Sequence, residues 1–333
     1  MSLKKVIVLF VIVIALGIGV LSFWWRAVPQ KKVLRVMTYS SFVGVFGPGV
    51  HIKKEFEKIC DCRVKWIKVP DSTLFVQRLS LKEDGFNTDV VLGLDQLSLK
   101  AAKTLPWKKT KVKRDVLTFP ARDFLSDEFI PYDWSPMSFL AREKLDEMNL
   151  SDLLEEKYKN NISLPSPRTS TVGWQFYYWI WFVFKEKTEE FLKKFKDRLY
   201  GLPPSWSTSY ALFQRGHVSL SFSYLSSLLY HQEQNQPAFR FVLFKEGHPF
   251  QVELMAVSGF CTQCELARSF VHFLLTPRIQ DLIEQKNYMF PVIHLNQDSP
   301  FKDRLFKLKL IQYDPVFLDH KEKWLNKWDR LMK

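Results

Sequence analysis

The chain is predicted to be an α/β protein with two sheets and a cleft between them. At 333 residues, with 47% hydrophobic and 25% charged residues, it can bury a sizeable core as roughly two domains or one two-lobed domain. Short apolar runs of strand length alternate with amphipathic helical stretches, the pattern of parallel α/β sheets. The stretch "FIPYDWSPMSFLAREKL" (129–145), with its Pro, Tyr and Asp, reads as a crossing from one lobe to the other.

The elements follow in order. Residues 1–30 carry Lys4 and Lys5, about 20 apolar residues from Val6 to Trp25, then Arg26 and a Pro-containing spacer. That length spans a bilayer, and the leading lysines keep the N-terminus cytoplasmic while the rest is exported. Trp25 two residues before Ala27 makes a poor cleavage site, so the segment reads equally as a signal peptide or an uncleaved membrane anchor. "KKVLRVMTYSSF" (31–42) is a buried strand, followed by the turn "FGPGV" and an amphipathic helix. Strand "RVKWIKVP" leads into helix "DSTLFVQRLSLKED", capped by Asp71, with Leu74, Phe75, Leu79 and Leu81 as its apolar stripe. "DVVLGL" (89–94) is the next strand.

Ligands of such sheets bind beyond the strands' carboxyl ends, which singles out Thr38 to Ser41, Pro70 to Ser72, and Asp95. The second α/β stretch holds strand "NISLPSP", the turn "RTSTVG", helix "WQFYYWIWFVFKEK", the aromatic loop "PPSWSTSY", helix "ALFQRG", strand "VSLSFSY" and a helix from Ser226. "FRFVLFKEG" and "QVELMAVSGF" lead back as strands, and the last 70 residues are mainly helical.

Composition narrows the function. The net charge of +13 is spread along the chain, with "KKTKVKR" (108–114) as the one local basic run. No nucleic-acid-binding module accompanies it, so a solvated surface is expected rather than nucleic acid. No H-E-x-x-H, G-x-S-x-G or P-loop is present, which leaves no catalytic or metal constellation. The cysteines form two close pairs, Cys60/Cys62 and Cys261/Cys264. The second reads as a local disulfide closing a turn, with a redox or zinc motif as the alternative.

Candidate binding residues sit at element ends. Ser170 and Thr171 open the long helix after "PRTSTVG", where free N–H groups and hydroxyls can hold an anion, and Arg168 adds positive charge. Simple N-capping is the competing reading. Asp71 and Ser72 form a second start of this kind. Tyr39, Trp206, Tyr224, Tyr230 and Tyr288 also fall at element ends; each ring alone suggests packing, but five together suggest stacking on a flat or cationic ring. In "NYMFPV" (287–292), Tyr288 is the ring expected at a ligand, with Phe290 packing behind it.

The ordered stretches "TYSSFVGVFGPG", "FEKICDCRVKWIKVPD", "TDVVLGLDQ", "FIPYDW", "PSPRTSTVG", "SWSTSYALFQRG", "SFSYLSSLLYH", "EGHPFQVE" and "NYMFPV" resemble the periplasmic thiamine-binding proteins of ABC transporters, within the type II solute-binding family. The resemblance implies a two-lobed type II periplasmic-binding-protein (Venus flytrap) fold, with residues 31–129 and 247–333 as lobe 1 and 130–246 as lobe 2. It implies thiamine, thiamine monophosphate or thiamine diphosphate as ligand, no cofactor, a periplasmic monomer and an inner-membrane permease as partner. The phosphate would sit on Asp71, Ser72, Ser170 and Thr171. The rings would be held by Tyr39, Trp206, Tyr224, Tyr230 and Tyr288, with Ser226 and Ser227 lining the same turn.

Several positions depart from the family pattern: Ser72 replaces a glycine, Tyr288 a tryptophan, and Leu225 and Leu228 a threonine and a proline. The Cys60/Cys62 pair matches the family's Cys-x-Cys. Two other readings remain: a same-fold receptor for another phosphorylated or cationic solute or a metal ion, and a thiaminase-like enzyme, which needs a cysteine nucleophile in the cleft.

Overall fold

The computed structural model of the protein describes residues 31–45, 47–81, 88–233, 239–294 and 308–333. Residues 1–30, expected to form the signal or membrane helix, lie outside the described residues. Among those described, no helix is long and apolar enough to cross a membrane.

The chain runs β1 (Lys32–Tyr39), α1 (Gly49–Cys60), β2 (Cys62–Val69), α2 (Phe75–Ser80), β3 (Val90–Asp95), α3 (Leu99–Ala102), β4 (Trp107–Lys108) and β5 (Ile130–Ala141). Next come β6 (Ile162–Ser163), α4 (Thr171–Phe184), α5 (Thr188–Phe195), β7 (Leu199–Gly201), α6 (Trp206–Gln214), β8 (Leu220–Tyr224), α7 (Ser227–Glu233) and β9 (Arg240–Phe241). It closes with β10 (Phe250–Ser258), α8 (Cys264–Leu274), α9 (Pro277–Asn287), β11 (Phe290–Pro291) and α10 (Lys321–Met332).

The strand order β2-β1-β3-β10-β5-β8-β6-β7 divides at β5. Its first half, through Pro136, pairs with β10, and its second half, from Met137, pairs with β8. β5 is therefore the crossing expected at 129–145, and all 12 of its residues are buried. A second crossing lies beside it, where Met137 N–H donates to Pro249 C=O at 2.8 Å. The sheets are mixed rather than purely parallel. β1, β2 and β3 run parallel, as do β6, β7 and β8, but β10 is antiparallel to both β3 and β5. The reason is that the chain re-enters the first sheet from the second lobe and so arrives running the opposite way.

The C-terminal residues depart from the expected assignment of 247–333 to lobe 1. Phe317, Leu325, Trp328 and Leu331 are buried in one cluster with Trp174 and Tyr177 of α4 and Phe222 of β8. Helix α4, "TVGWQFYYWIWFVF", is buried from Thr171 to Ile180. A helix apolar on all sides needs cover on all sides. The sheet covers one side, where Phe222 of β8 lies 5.5 Å from Phe176. On another, Trp328 of α10 lies 5.7 Å from Tyr177. Ion pairs reinforce the seat: Arg168 to Asp329 at 2.7 Å and Lys327 to Glu189 at 2.8 Å.

Both cysteine pairs are bridged. Cys60–Cys62 joins the end of α1 to the start of β2, and Cys261–Cys264 closes the turn before α8. All four cysteines are held in these two bridges.

Candidate functional site

A cavity of about 380 Å³ opens where the two lobes meet. The strands bring their carboxyl ends to it: Tyr39 is the last residue of β1, Pro70 to Ser72 follow β2, and Tyr224 ends β8. Helix ends complete it. Thr171 opens α4, Trp206 opens α6, Ser227 opens α7, and Tyr288 follows α9. Tyr230, one turn into α7, closes the ring.

Nine of the eleven candidates thus line one cavity: Tyr39, Asp71, Ser72, Thr171, Trp206, Tyr224, Ser227, Tyr230 and Tyr288. Ser170 and Ser226 do not. Ser170 is fully buried at the N-cap of α4. The Ser226 hydroxyl turns towards β5, donating to Ser135 Oγ at 3.1 Å with Met289 Sδ 3.7 Å away.

The aromatic wall is held together by contacts among its own rings. Trp206 stacks on Tyr210 at 5.2 Å and 19°, meets Tyr224 edge-on at 5.9 Å, and donates its indole N–H to Ser223 Oγ at 3.0 Å. It lies in the first turn of a helix rather than in a loop, because Ser205 caps α6 by accepting from Thr208 N–H. Tyr288 adopts φ +53°, the left-handed conformation that ends α9, and meets Tyr230 edge-on at 5.4 Å. Phe290 is buried behind it, 5.6 Å from Trp134. The Tyr39 ring lies against Gly93, where φ is +109° and an added Cβ would come within 2.6 Å of the ring. Only glycine suits both that backbone conformation and that approach.

The two helix starts face each other across the cleft. Asp71 Oδ1 accepts from Thr73 N–H on its own side and from Thr171 N–H of α4, both at 3.2 Å. Thr73 Oγ1 donates back to Thr169 C=O at 3.1 Å, and the Ser72 and Thr171 hydroxyls lie 3.5 Å apart. The expected anion position therefore already holds a carboxyl group. Burial raises the Asp71 carboxyl above its ordinary value, opposed by the bonds from Thr73 and Thr171. Arg168 is not turned to an anion here; it binds Asn326 and Asp329 of α10.

The sequence reading missed the acidic floor. Glu253 in β10 lines the cavity. It stands opposite Asp95 of β3 on one side and Asp133 of β5 on the other, and cross-strand partners share a face. Glu253 Oε2 accepts from Tyr39 O–H at 2.8 Å and from Tyr132 O–H, while Oε1 accepts from Gln251 Nε2 at 3.2 Å. Asp133 Oδ2 accepts from Asn287 Nδ2 at 2.8 Å, and its Oδ1 has no hydrogen-bond partner among the described residues. Burial pushes the Glu253 carboxyl up to about 7, opposed by the bonds from Tyr132 and Tyr39 and helped by the charge of Asp95; burial, then the charge of Glu253, raises Asp133 well above its ordinary value. The available signal was an acid inside "QVELMAVS" and "IPYDWSPM", runs that otherwise read as buried strand. Tyr210, Gln214, Ser205, Ser207, Lys286 and Asn287 also line the cavity without having been singled out.

These acids set a pH dependence. Burial holds the Glu253 carboxyl above its ordinary value in the folded protein, so the folded state keeps a proton that the unfolded chain gives up as pH rises. Its contribution is fully present at low pH, below the ordinary carboxylate range, and is lost as pH rises through neutrality. His248, lowered by burial to about 4, acts in the opposite sense between pH 4 and 6.5. The readout is therefore the difference between the empty wild-type protein and Glu253→Gln. The thermal midpoint of the wild type should fall relative to the variant from pH 4.5 to 7.5, and parallel curves would refute it.

Residues 34–288 match the family of bacterial extracellular solute-binding proteins. The chain is 31% identical over 306 residues to the thiamine-binding periplasmic protein of Escherichia coli (strain K12), covering 90% of this chain and 93% of that one. It is 31% identical over 310 residues to the protein of that name from Brucella abortus biovar 1, covering 91% and 92%. Among solved structures, a periplasmic thiamin binding protein superposes with a TM-score of 0.84 at 30% identity, over 92% of this chain and 98% of that one. With its two-lobed mixed α/β fold and interlobe cavity, the chain belongs to the bacterial extracellular solute-binding proteins.

Proposed function

We propose that the protein is the periplasmic receptor of an ABC importer and that it binds thiamine in the interlobe cleft. The observation that carries this reading is a wall of five aromatic rings, Tyr39, Trp206, Tyr224, Tyr230 and Tyr288, around a cavity whose floor holds Glu253. A flat cationic heterocycle gains from stacking, cation–π attraction and a nearby carboxylate at once. The relatives' names support the same ligand. Residues 31–129 with 247–294 serve as one lobe and 130–246 as the other; they close on the ligand about β5 and present a joint surface to the permease. The receptor acts as a monomer, with residues 1–30 as its export signal or membrane anchor.

Ser72 and Thr171 are the proposed contacts for a phosphate tail in the monophosphate and diphosphate. The Asp71 carboxyl on Thr171 N–H favours free thiamine, since a phosphate must share that N–H with an acid. Calorimetry with thiamine and with thiamine monophosphate tests both statements; absence of binding by either would refute the assignment. Tyr288→Ala should weaken thiamine binding about tenfold, the value of one stacked ring. The thermal midpoint of the empty protein should change little. A variant that unfolds, yet binds normally in the fraction that remains folded, would make Tyr288 a packing residue instead.

A further inference from the structure

We propose that Glu253, with Asp133 beside it, selects the positive charge of the ligand, and that the pair gives up a proton when the ligand binds. This rests on the thiamine reading of the cleft. Glu253 reaches the cavity wall, whereas Asp133, its cross-strand partner, is fully buried and leaves Oδ1 without a hydrogen bond among the described residues.

The groups facing the pair come from every element around it. β1 supplies the Tyr39 hydroxyl, β5 that of Tyr132, β10 the Gln251 amide and α9 the Asn287 amide. All four are neutral donors. β3 adds a third acid, Asp95, on the other flank of Glu253. The field of these acids reaches β8, where Glu253, Asp71, Asp95 and Asp133 all act on the Tyr224 phenol, in addition to its burial. Lys286 lies at the cavity wall, and Lys321 of α10 acts on Asp95. Among the described residues, neither Glu253 nor Asp133 has an ion-pair partner.

Two adjacent buried carboxyls without a counter-ion do not both ionise near neutrality; they share one proton, and the pair titrates as a unit. A cationic ring in the cavity supplies the missing positive charge. The Glu253 carboxyl O–H bond then breaks, its proton passes to solvent, and the carboxylate pairs with the ligand. Charge in the cleft is conserved, as one proton leaves and one cation enters. A neutral solute of the same shape offers no such exchange, so selectivity for charge follows from the floor and not from the rings alone.

The test is calorimetry of thiamine binding to the full exported domain at pH 6.5 and at pH 8.5. It is run in pairs of buffers with different enthalpies of protonation. At pH 6.5 the observed enthalpies should differ between buffers by an amount equivalent to between half and one proton released. At pH 8.5 the difference should nearly vanish. Affinity should rise severalfold between the two pH values.

Glu253→Gln should bind more weakly and show no buffer dependence. Asp133→Asn, which keeps Glu253 but removes its like-charged neighbour, should show a smaller release at pH 6.5. Normal thiamine binding with equal enthalpies in both buffers at pH 6.5 would overturn the proton exchange while leaving the thiamine assignment intact. Absence of thiamine binding at either pH would overturn the assignment and the exchange with it.

Discussion

A Trp328→Ala protein is expected to lose about 3–5 kcal/mol of stability, the usual cost of emptying a large buried aromatic site. Trp328 is 1% exposed and packs on Tyr177 of α4, far along the chain from the strands it helps to bury. The neighbouring rings are large and mutually packed, with Phe317 4.5 Å from Trp174 and 5.2 Å from Tyr178. They cannot collapse into the space without leaving their own rotamers, so the cavity term is added to the transfer term. Chemical denaturation followed by circular dichroism measures the loss. Trp328 does not line the cleft, so thiamine affinity in the folded fraction should stay within about threefold, well under the tenfold step worth 1.4 kcal/mol. A loss below about 1 kcal/mol would mean that α10 rests loosely on the second lobe rather than completing its core.

Trp206→Ala should have the larger effect on binding, reducing thiamine affinity about 100-fold. Trp206 is the pivot of the aromatic wall, stacked on Tyr210 and edge-on to Tyr224. Its truncation removes a stacking face worth about 1–2 kcal/mol for a desolvated cation. It also frees Tyr210 and Tyr224 to move, adding an ordering cost to every binding event. Fold stability should change less, because Trp206 is only partly buried and its helix keeps the Ser205 cap. Titration of intrinsic fluorescence or heat with thiamine reads the effect. An affinity within threefold of wild type would place the ligand elsewhere in the cavity.

The parts legible in the sequence were those with a local cause. β2 and β3 lie within a residue of the runs that predict them, while β1 ends at Tyr39, three residues before its run does, because Ser40 to Phe42 already belong to the turn. The aromatic residues at element ends were visible for the same reason: a ring outside a periodic pattern stands out. Glu253 and Asp133 were not visible, because their meaning comes from register. Each is an ordinary acid until β10 lies between β3 and β5, and nothing near residue 253 specifies that neighbour. Asp71, expected to cap α2, caps instead the short 3-10 turn Ser72–Leu74 that leads into it, accepting from Thr73 N–H. That it also accepts from Thr171, 100 residues away, depends on how the lobes meet. The seat of α10 was hidden likewise, since an amphipathic pattern announces a buried face without naming what covers it.

The path of β10 has a consequence for how the chain folds. The first sheet keeps a gap between β3 and β5 until residues 250–258 arrive to fill it. The second lobe keeps one side of α4 uncovered until Trp328 is in place. A chain emerging from its N-terminus thus completes neither core until most or all of it is present, and both depend on contacts of long sequence separation that form slowly. Early closure is thus postponed by the topology itself, since the strand and the helix that complete the two cores are among the last elements to be made.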